Sequence, residues 1–369
     1  MLDFTSKIFV AGHRGLVGSA IWNNLVSRGF TNLVGRTHSE LDLEDPVAVR
    51  SFFDAEQPDA VVLAAAHVGG IMANLRYRAD FIYKNLQIQQ NVIGESWRHG
   101  VKKLLFLGST CIYPREAPQP MGEDCLLTSP LEYTNEPYAI AKIAGLKMCE
   151  SFSIQYGCNY IAVMPTNLYG PGDNFHLERS HVLPAMIRKF HLASCLEKGD
   201  WDAVRKDVAS RPVTAPGLAP VNGESPEDEI LAMLAYYGIT PSAVTLWGTG
   251  SPMREFLWSE EMADASVHVL LNVDFKDTFR DAVTNSDGIL EIRNCHINVG
   301  TGEELSIKDL AYKVKAVTGF AGSIVWDRSK PDGTPLKRTD VSKLHSLGWH
   351  HRIGIDEGIG RLYEWYVKT

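Results

Sequence analysis

Apolar residues in the first half of the chain gather in short unbroken runs. Lys7–Ala11, Ala60–Ala66 and Leu104–Leu107 are runs of this kind, as strands buried on both faces of a parallel sheet require. A further β-rich run spans Asn32–Arg36. Helical stretches separate them. One is expected from Ser19 to about Arg28, one begins at Leu41-Asp42-Leu43-Glu44-Asp45, and one opens at Tyr138 and reaches about Tyr156. Another is expected to start at His181 and continue from Val182 to Phe190. Strand and helix in alternation predict an α/β chain around a parallel sheet.

A length of 369 residues predicts two folding units or one large unit with a smaller lobe. The expected division is a nucleotide-binding domain over 1–170, completed by segments near 246–265 and 295–302, and a substrate lobe over 171–369. Residues 192–244 have the look of an insertion, with Pro212, Pro216, Pro220 and Pro226 in its middle. Its proline-rich half is expected to be extended and mobile, and the whole segment to be a surface excursion that adds no chemistry. Ser225-Pro226-Glu227-Asp228-Glu229 then carries a helix start, and the apolar stretch to Tyr237 ends at Gly238.

Composition narrows the function classes. With 36 basic against 44 acidic residues the formal charge is −8, which gives no general field for nucleic acid or an anionic membrane. No apolar run has the length of a membrane span. The chain passes from Met1 to Gly12 without the pattern of a secretory leader. The six cysteines, at 111, 125, 149, 158, 195 and 295, form no C-x-x-C pair or zinc spacing, so neither a metal site nor a disulfide scaffold is expected. Free thiols predict a cytoplasmic protein.

The chemistry collects where strands should end. Gly12-His13-Arg14-Gly15-Leu16-Val17-Gly18 joins the first strand to the first helix. Glycines there permit positive φ and close backbone approach, and the free N–H groups of the helix start attract a diphosphate. Arg36 ends the second strand, where an acidic residue would bind a ribose 2′-hydroxyl. With Arg14 and His38 nearby it suits a 2′-phosphate instead, favouring NADP(H) over NAD(H). Asp42, followed by Leu43, is a candidate acceptor for the adenine amino group or an N-cap. Ala64-Ala65-Ala66 leaves room at the sheet edge for ribose and pyrophosphate. Leu107-Gly108-Ser109-Thr110-Cys111 reaches the same edge. Tyr138 and Lys142, four apart, share one helix face, so the ammonium is expected to lower the phenol pKa.

Joined to Ser109, the Tyr138 and Lys142 pair resembles the extended short-chain dehydrogenase/reductase family. Pro165-Thr166-Asn167-Leu168-Tyr169-Gly170-Pro171, Trp247-Gly248-Thr249-Gly250 with Met253-Arg254-Glu255-Phe256, and Asn298-Val299-Gly300-Thr301-Gly302 continue the match. Asn135-Glu136-Pro137-Tyr138, Asp173-Asn174-Phe175-His176 and Ser180-His181-Val182 narrow it to members acting on GDP-4-keto-6-deoxymannose. The resemblance covers about 7–190 and 246–365. It implies a Rossmann-type doubly wound parallel sheet with a smaller C-terminal α/β substrate-binding lobe. It also implies bound NADP(H), inversion of C3 and C5 followed by reduction of C4, and a homodimer paired through helices near 80–98 and 138–156. Ser109, Tyr138 and Lys142 would serve reduction. Inversion needs a base on one ring face and an acid on the other, roles the resemblance gives to Cys111 and His181. Pro165, Thr166, Asn167, Leu168 and His181 would join the cofactor set. Lys189, Trp247, Arg254 and Asp332 would contact the sugar nucleotide, with Lys189 standing where the family usually has arginine. A nucleotide-sugar 4-epimerase or 4,6-dehydratase is the nearest alternative. Dehydratases carry an Asp-Glu pair where this chain has Cys111 and Ile112. A non-catalytic NADP-binding sensor would not require Tyr138 and Lys142.

Overall fold

The computed structural model describes residues 2–279, 283–330 and 332–369. The first half contributes five strands to the main sheet: β1 (Ile8–Ala11), β2 (Leu33–Val34), β3 (Ala60–Leu63), β4 (Lys103–Leu107) and β5 (Tyr160–Pro165). With Ile297–Val299 they make a six-stranded sheet in the order Ile297–Val299, β5, β4, β3, β1, β2, every pairing parallel. Alternation along each strand explains the unbroken apolar runs. Phe9, Val61, Leu104, Phe106 and Ala162 enter one core, while Ile8, Val10, Val62, Leu105 and Ile161 enter the other.

Helices cover both faces. The chain forms α1 (Leu16–Ser27), α2 (Pro46–Glu56), α3 (Ile71–Arg76), α4 (Arg78–Arg98) and α5 (Glu136–Tyr156). Val49, Phe53, Val92, Ile93 and Leu146 of α2, α4 and α5 cover the first face. Ile21 and Leu25 of α1, with Met262 and Ala265 of the helix Ser259–Asn272, cover the second. Helix α2 starts later than its sequence suggests: Asp45, not Asp42, is the N-cap, accepting from Val47 and Ala48 N–H, and Pro46 takes the first turn.

The chain divides into two compact units. One comprises Met1–Leu168, Glu255–Glu303 and Lys337–Arg352, and the other Tyr169–Arg254, Glu304–Leu336 and Ile353–Thr369. In the second unit α6 (Val182–Lys198) runs two turns beyond the expected Phe190 and ends at Gly199, φ +68°. It is followed by α7 (Trp201–Ser210), which the sequence reading did not anticipate, and α8 (Glu227–Tyr236), which it did. Residues 192–244 are woven into this unit. Val204, Val208, Val213, Val221, Ile230 and Met233 are all buried, and Val213 and Val221 form a β-bridge across the proline-rich passage. Arg188, 1% exposed, pairs with Asp207 at 2.9 Å, and Tyr366 donates its hydroxyl hydrogen to the same carboxylate. A strand over Ala243–Trp247 lies parallel to Ser323–Asp327.

Candidate active site

The first strand-to-helix turn is built for close approach. Gly12 has φ +86°, and a Cβ there would lie 2.8 Å from Ala65 N; one on Gly18 would lie 2.1 Å from Gly12 O. Gly15 caps α1 with no side-chain acceptor, leaving the first-turn N–H donors open. Ala64, Ala65 and Ala66 follow β3 at the same sheet edge, with Ala64 N donating to Ala11 O.

Positive charge stands beside this turn. Arg14 and Arg36 both act on His13, helping burial to hold its imidazole pKa below the ordinary value. Arg36 is not a loose surface side chain: its Nη2 donates to Glu56 at 2.6 Å and its Nη1 to Gly35 O. Asp42 accepts from the N–H of Glu44 at 2.9 Å.

Strand β4 delivers Gly108 and Ser109, and Thr110–Ile112 form one turn of 3₁₀ helix capped by Ser109. A Cβ on Gly108 would fall 2.3 Å from Met164, so glycine keeps the two strand ends together. Ser109 Oγ accepts from Cys111 N–H at 3.3 Å. Tyr138 and Lys142 occupy the first two turns of α5. Lys142 Nζ donates to Leu107 O at 2.8 Å and lies 5.7 Å from the Tyr138 ring centroid. Burial lowers the Lys142 pKa to about 8. The expected lowering of the Tyr138 pKa does not occur in the free protein. Burial raises it, and Cys111 raises it further, while the lysine cation is held at the Leu107 carbonyl. Titrating lysine-labelled, ligand-free protein by NMR should show a buried ammonium that loses its proton near pH 8 and is missing from Lys142→Met; finding no such Lys142-dependent midpoint below 10 would contradict this environment.

Cys111, 7% exposed, is near enough to perturb both Tyr138 and Lys142. Burial pushes its thiol pKa up, opposed by Lys337, the Ser109 hydrogen bond and Lys142. The thiol therefore belongs to the Ser109, Tyr138 and Lys142 group. After β5, Thr166 N–H donates to Val299 O, and Asn167 Nδ2 donates to Glu255 O at 2.8 Å.

In the second unit His181 is the N-cap residue of α6, exposed and without a side-chain capping bond. Desolvation by the surrounding protein lowers its pKa, and its exposure screens part of that effect. Lys189 Nζ donates to Tyr237 O at 2.7 Å and Thr245 O at 3.0 Å, and burial lowers its pKa to about 8. Trp247 is exposed, with Lys330 Nζ 5.6 Å from its ring centroid. Asp332 accepts from Thr249 N–H at 2.6 Å and from its hydroxyl at 2.8 Å. Arg254 Nη1 donates to Met253 O at 2.7 Å and Thr334 O at 2.6 Å. These bonds fix a tryptophan, a carboxylate and three cations within one unit.

Sequence reading missed two contributors. Lys337 is the largest influence drawing the Cys111 pKa down. Glu255, 0% exposed, accepts from Thr301 N–H at 2.6 Å, Gly302 N–H at 2.9 Å and Thr339 N–H at 2.8 Å. A Cβ on Gly300 would lie 2.0 Å from its carboxylate, which explains the glycine. Glu255→Gln turns one acceptor into a donor facing these N–H groups. It should lower unfolding free energy by ~1–3 kcal/mol in denaturant melts, and an unchanged midpoint would remove this role.

The fold and site now have a context. The model of the "NAD dependent epimerase/dehydratase family" matches residues 8–215. GDP-L-fucose synthase 1 of Arabidopsis thaliana is 49% identical, over 100% of this chain and 95% of its own. The chain belongs to this family. GDP-L-fucose synthase of Escherichia coli is 46% identical over 98% of this chain and 97% of its own. The solved structure of MlghC, a GDP-mannoheptose C4 reductase from Campylobacter jejuni with NADP bound, is 42% identical with a TM-score of 0.86, covering 100% of both chains.

Proposed function

We propose that this enzyme converts GDP-4-keto-6-deoxymannose to GDP-L-fucose with NADPH, inverting C3 and C5 before reducing the C4 ketone. The observation that carries the reading is a buried thiol, Cys111, whose N–H donates to Ser109 Oγ just beyond the strand end where Leu107 O holds Lys142. Plain carbonyl reduction needs no such thiol. The GDP-L-fucose synthases that match along nearly the whole chain support the same substrate.

The residues present fit NADP(H). The crowded Gly12 turn, the uncapped start of α1 and the paired charges of Arg14 and Arg36 suit a diphosphate and a 2′-phosphate. Leu16, Val17, Ala64, Ala65, Leu107, Gly108, Thr110 and Pro165–Leu168 stand at or beside the strand and helix ends of the sheet-bearing unit and would line the cofactor; the family resemblance adds Asp42 and Leu43 for the adenine and His181 to the same set. When bound, the cofactor supplies hydride to C4.

Cys111 removes the C3 and C5 protons, and His181 returns protons on the opposite ring face. Ser109 and Tyr138 hydrogen-bond the C4 oxygen and stabilise the enolate formed at either neighbour. Tyr138 then protonates that oxygen during reduction, and Lys142, anchored on Leu107 O, stabilises the phenolate left behind. Lys189, Trp247, Arg254 and Asp332 bind the GDP portion.

Turnover in heavy water separates two readings. GDP-L-fucose carrying deuterium at C3 and C5 is the expected product. A C4-reduced sugar without ring deuterium would instead mark a C4 reductase, the activity named for the heptose enzyme of similar fold.

Exposed Tyr83 and Trp97 on α4, and Ile140 and Tyr156 on α5, support a homodimer paired through these helices. Sedimentation as a single chain at micromolar concentration would oppose it. Six free cysteines support a cytoplasmic location, which cell fractionation checks. Among the described residues no helix is long and apolar enough to cross a membrane.

A further inference from the structure

Residues 173–181 form a tightly wound loop before α6. Phe175 is anchored in the second unit: its carbonyl accepts from Arg188 Nη1 at 3.2 Å, and its ring lies 4.7 Å from that of Tyr366. Leu177 is buried. The loop's other polar groups are largely satisfied within it. Asn174 Oδ1 accepts from His176 N–H, His176 Nδ1 accepts from Glu178 and Arg179 N–H, and Ser180 N–H donates to His176 O. Asp173 Oδ1 accepts from Asn174 N–H at 2.7 Å.

Two atoms of this loop stand apart. Asp173 Oδ2 and Ser180 Oγ are both buried and neither has a hydrogen-bond partner in the protein. A buried polar atom left alone costs about 1–3 kcal/mol, a cost that a bound water or a substrate hydroxyl would remove. Ser180 immediately precedes His181, and consecutive Cα atoms are only about 3.8 Å apart. The sugar ring that His181 is proposed to protonate therefore lies within reach of the same loop.

We infer that Asp173 and Ser180 form a hydroxyl-binding subsite for the hexose, with Asp173 Oδ2 accepting the hydrogen bond of the C2 hydroxyl and Ser180 Oγ closing the same subsite. This rests on the function proposed above. C2 is favoured because the C3 hydroxyl changes its position when that carbon inverts, whereas the C2 hydroxyl keeps its configuration and suits a fixed acceptor. The chemistry of the enolate gives the acceptor a second purpose. Removal of the C3 proton places negative charge next to C2, from which the C2–O bond can break, expelling hydroxide and leaving a C2=C3 double bond conjugated to the ketone. A carboxylate that accepts from the C2 hydroxyl keeps electron density on its oxygen and makes that departure harder. Burial pushes the Asp173 carboxyl up to about 6, which still leaves it ionised at neutral pH.

The test compares Asp173→Asn and Ser180→Ala with wild type on GDP-4-keto-6-deoxymannose and on its 2-deoxy counterpart. NADPH affinity is followed by fluorescence, and products by mass. For Asp173→Asn the expected result is a KM at least 10-fold higher on the natural sugar, unchanged NADPH affinity and more product one water lighter than the substrate. On the 2-deoxy sugar wild type and variant should behave alike. Equal losses on both sugars, or weakened NADPH binding, would overturn the subsite. If Asp173→Asn does not fold, Ser180→Ala decides by the same sugar dependence. Wild type that turns over neither sugar would instead overturn the proposed function itself.

Discussion

Tyr138→Phe should lower NADPH oxidation by about 100- to 10,000-fold while ring protons of the 4-keto sugar continue to exchange with solvent. In the proposed mechanism the phenol is the proton source for the C4 oxygen, and its raised pKa keeps that proton in place until reduction. Phenylalanine preserves the ring that packs edge-on against Phe81, with centroids 6.3 Å apart, so the change is confined to one hydroxyl. Exchange is expected to persist because the proposed mechanism gives it to Cys111 and His181, with Ser109 still holding the ketone oxygen. Stopped-flow absorbance reads hydride transfer, and proton NMR in heavy water reads exchange. Undiminished NADPH oxidation would remove Tyr138 from the chemistry.

The reverse pattern is expected for Cys111→Ser. Exchange at C3 and C5 should fall by about 100-fold or more, with NADPH binding unaffected, because a serine hydroxyl is a far weaker acid than a thiol and reaches no useful population of its anion. Ionising Cys111 is already opposed by burial, and Lys337, Ser109 and Lys142 are what offset that burden. Lys337→Met should therefore move the pH profile of exchange upward while leaving Tyr138-dependent reduction of a simple ketone in place. Exchange undiminished in Cys111→Ser would leave a carbonyl reductase whose thiol is only a neighbour.

What the sequence disclosed was local. The Gly12 to Gly18 turn, the Tyr138 and Lys142 spacing and the start of α8 are each written within a dozen residues, so turn chemistry and helical period reveal them. Glu255 was opaque because its partners are Thr301, Gly302 and Thr339, joined only by folding. Lys337 was hidden for the same reason. The pKa of Tyr138 was read in the wrong direction because spacing reports the neighbouring cation but not the burial, nor the Leu107 carbonyl that holds the lysine. Helix α7 buries Val204 and Val208 and little else that is apolar, a pattern too short to predict a helix ahead of the prolines. Lys189 looked like a weakened arginine, yet Arg188 beside it is consumed by Asp207, and Lys189 itself is tied to two carbonyls.

The sheet-bearing unit is stitched from three separated stretches of chain. Its first five strands can pair as they leave the ribosome, since each neighbours others already made. The sixth, Ile297–Val299, has to wait for the intervening unit to be synthesised, and until then β5 presents a bare hydrogen-bonding edge. Assembly of this enzyme thus includes an interval in which a half-finished sheet is open to association with other nascent chains. Slower growth temperatures or a trapping chaperone should raise its soluble yield more than any change at the catalytic residues would.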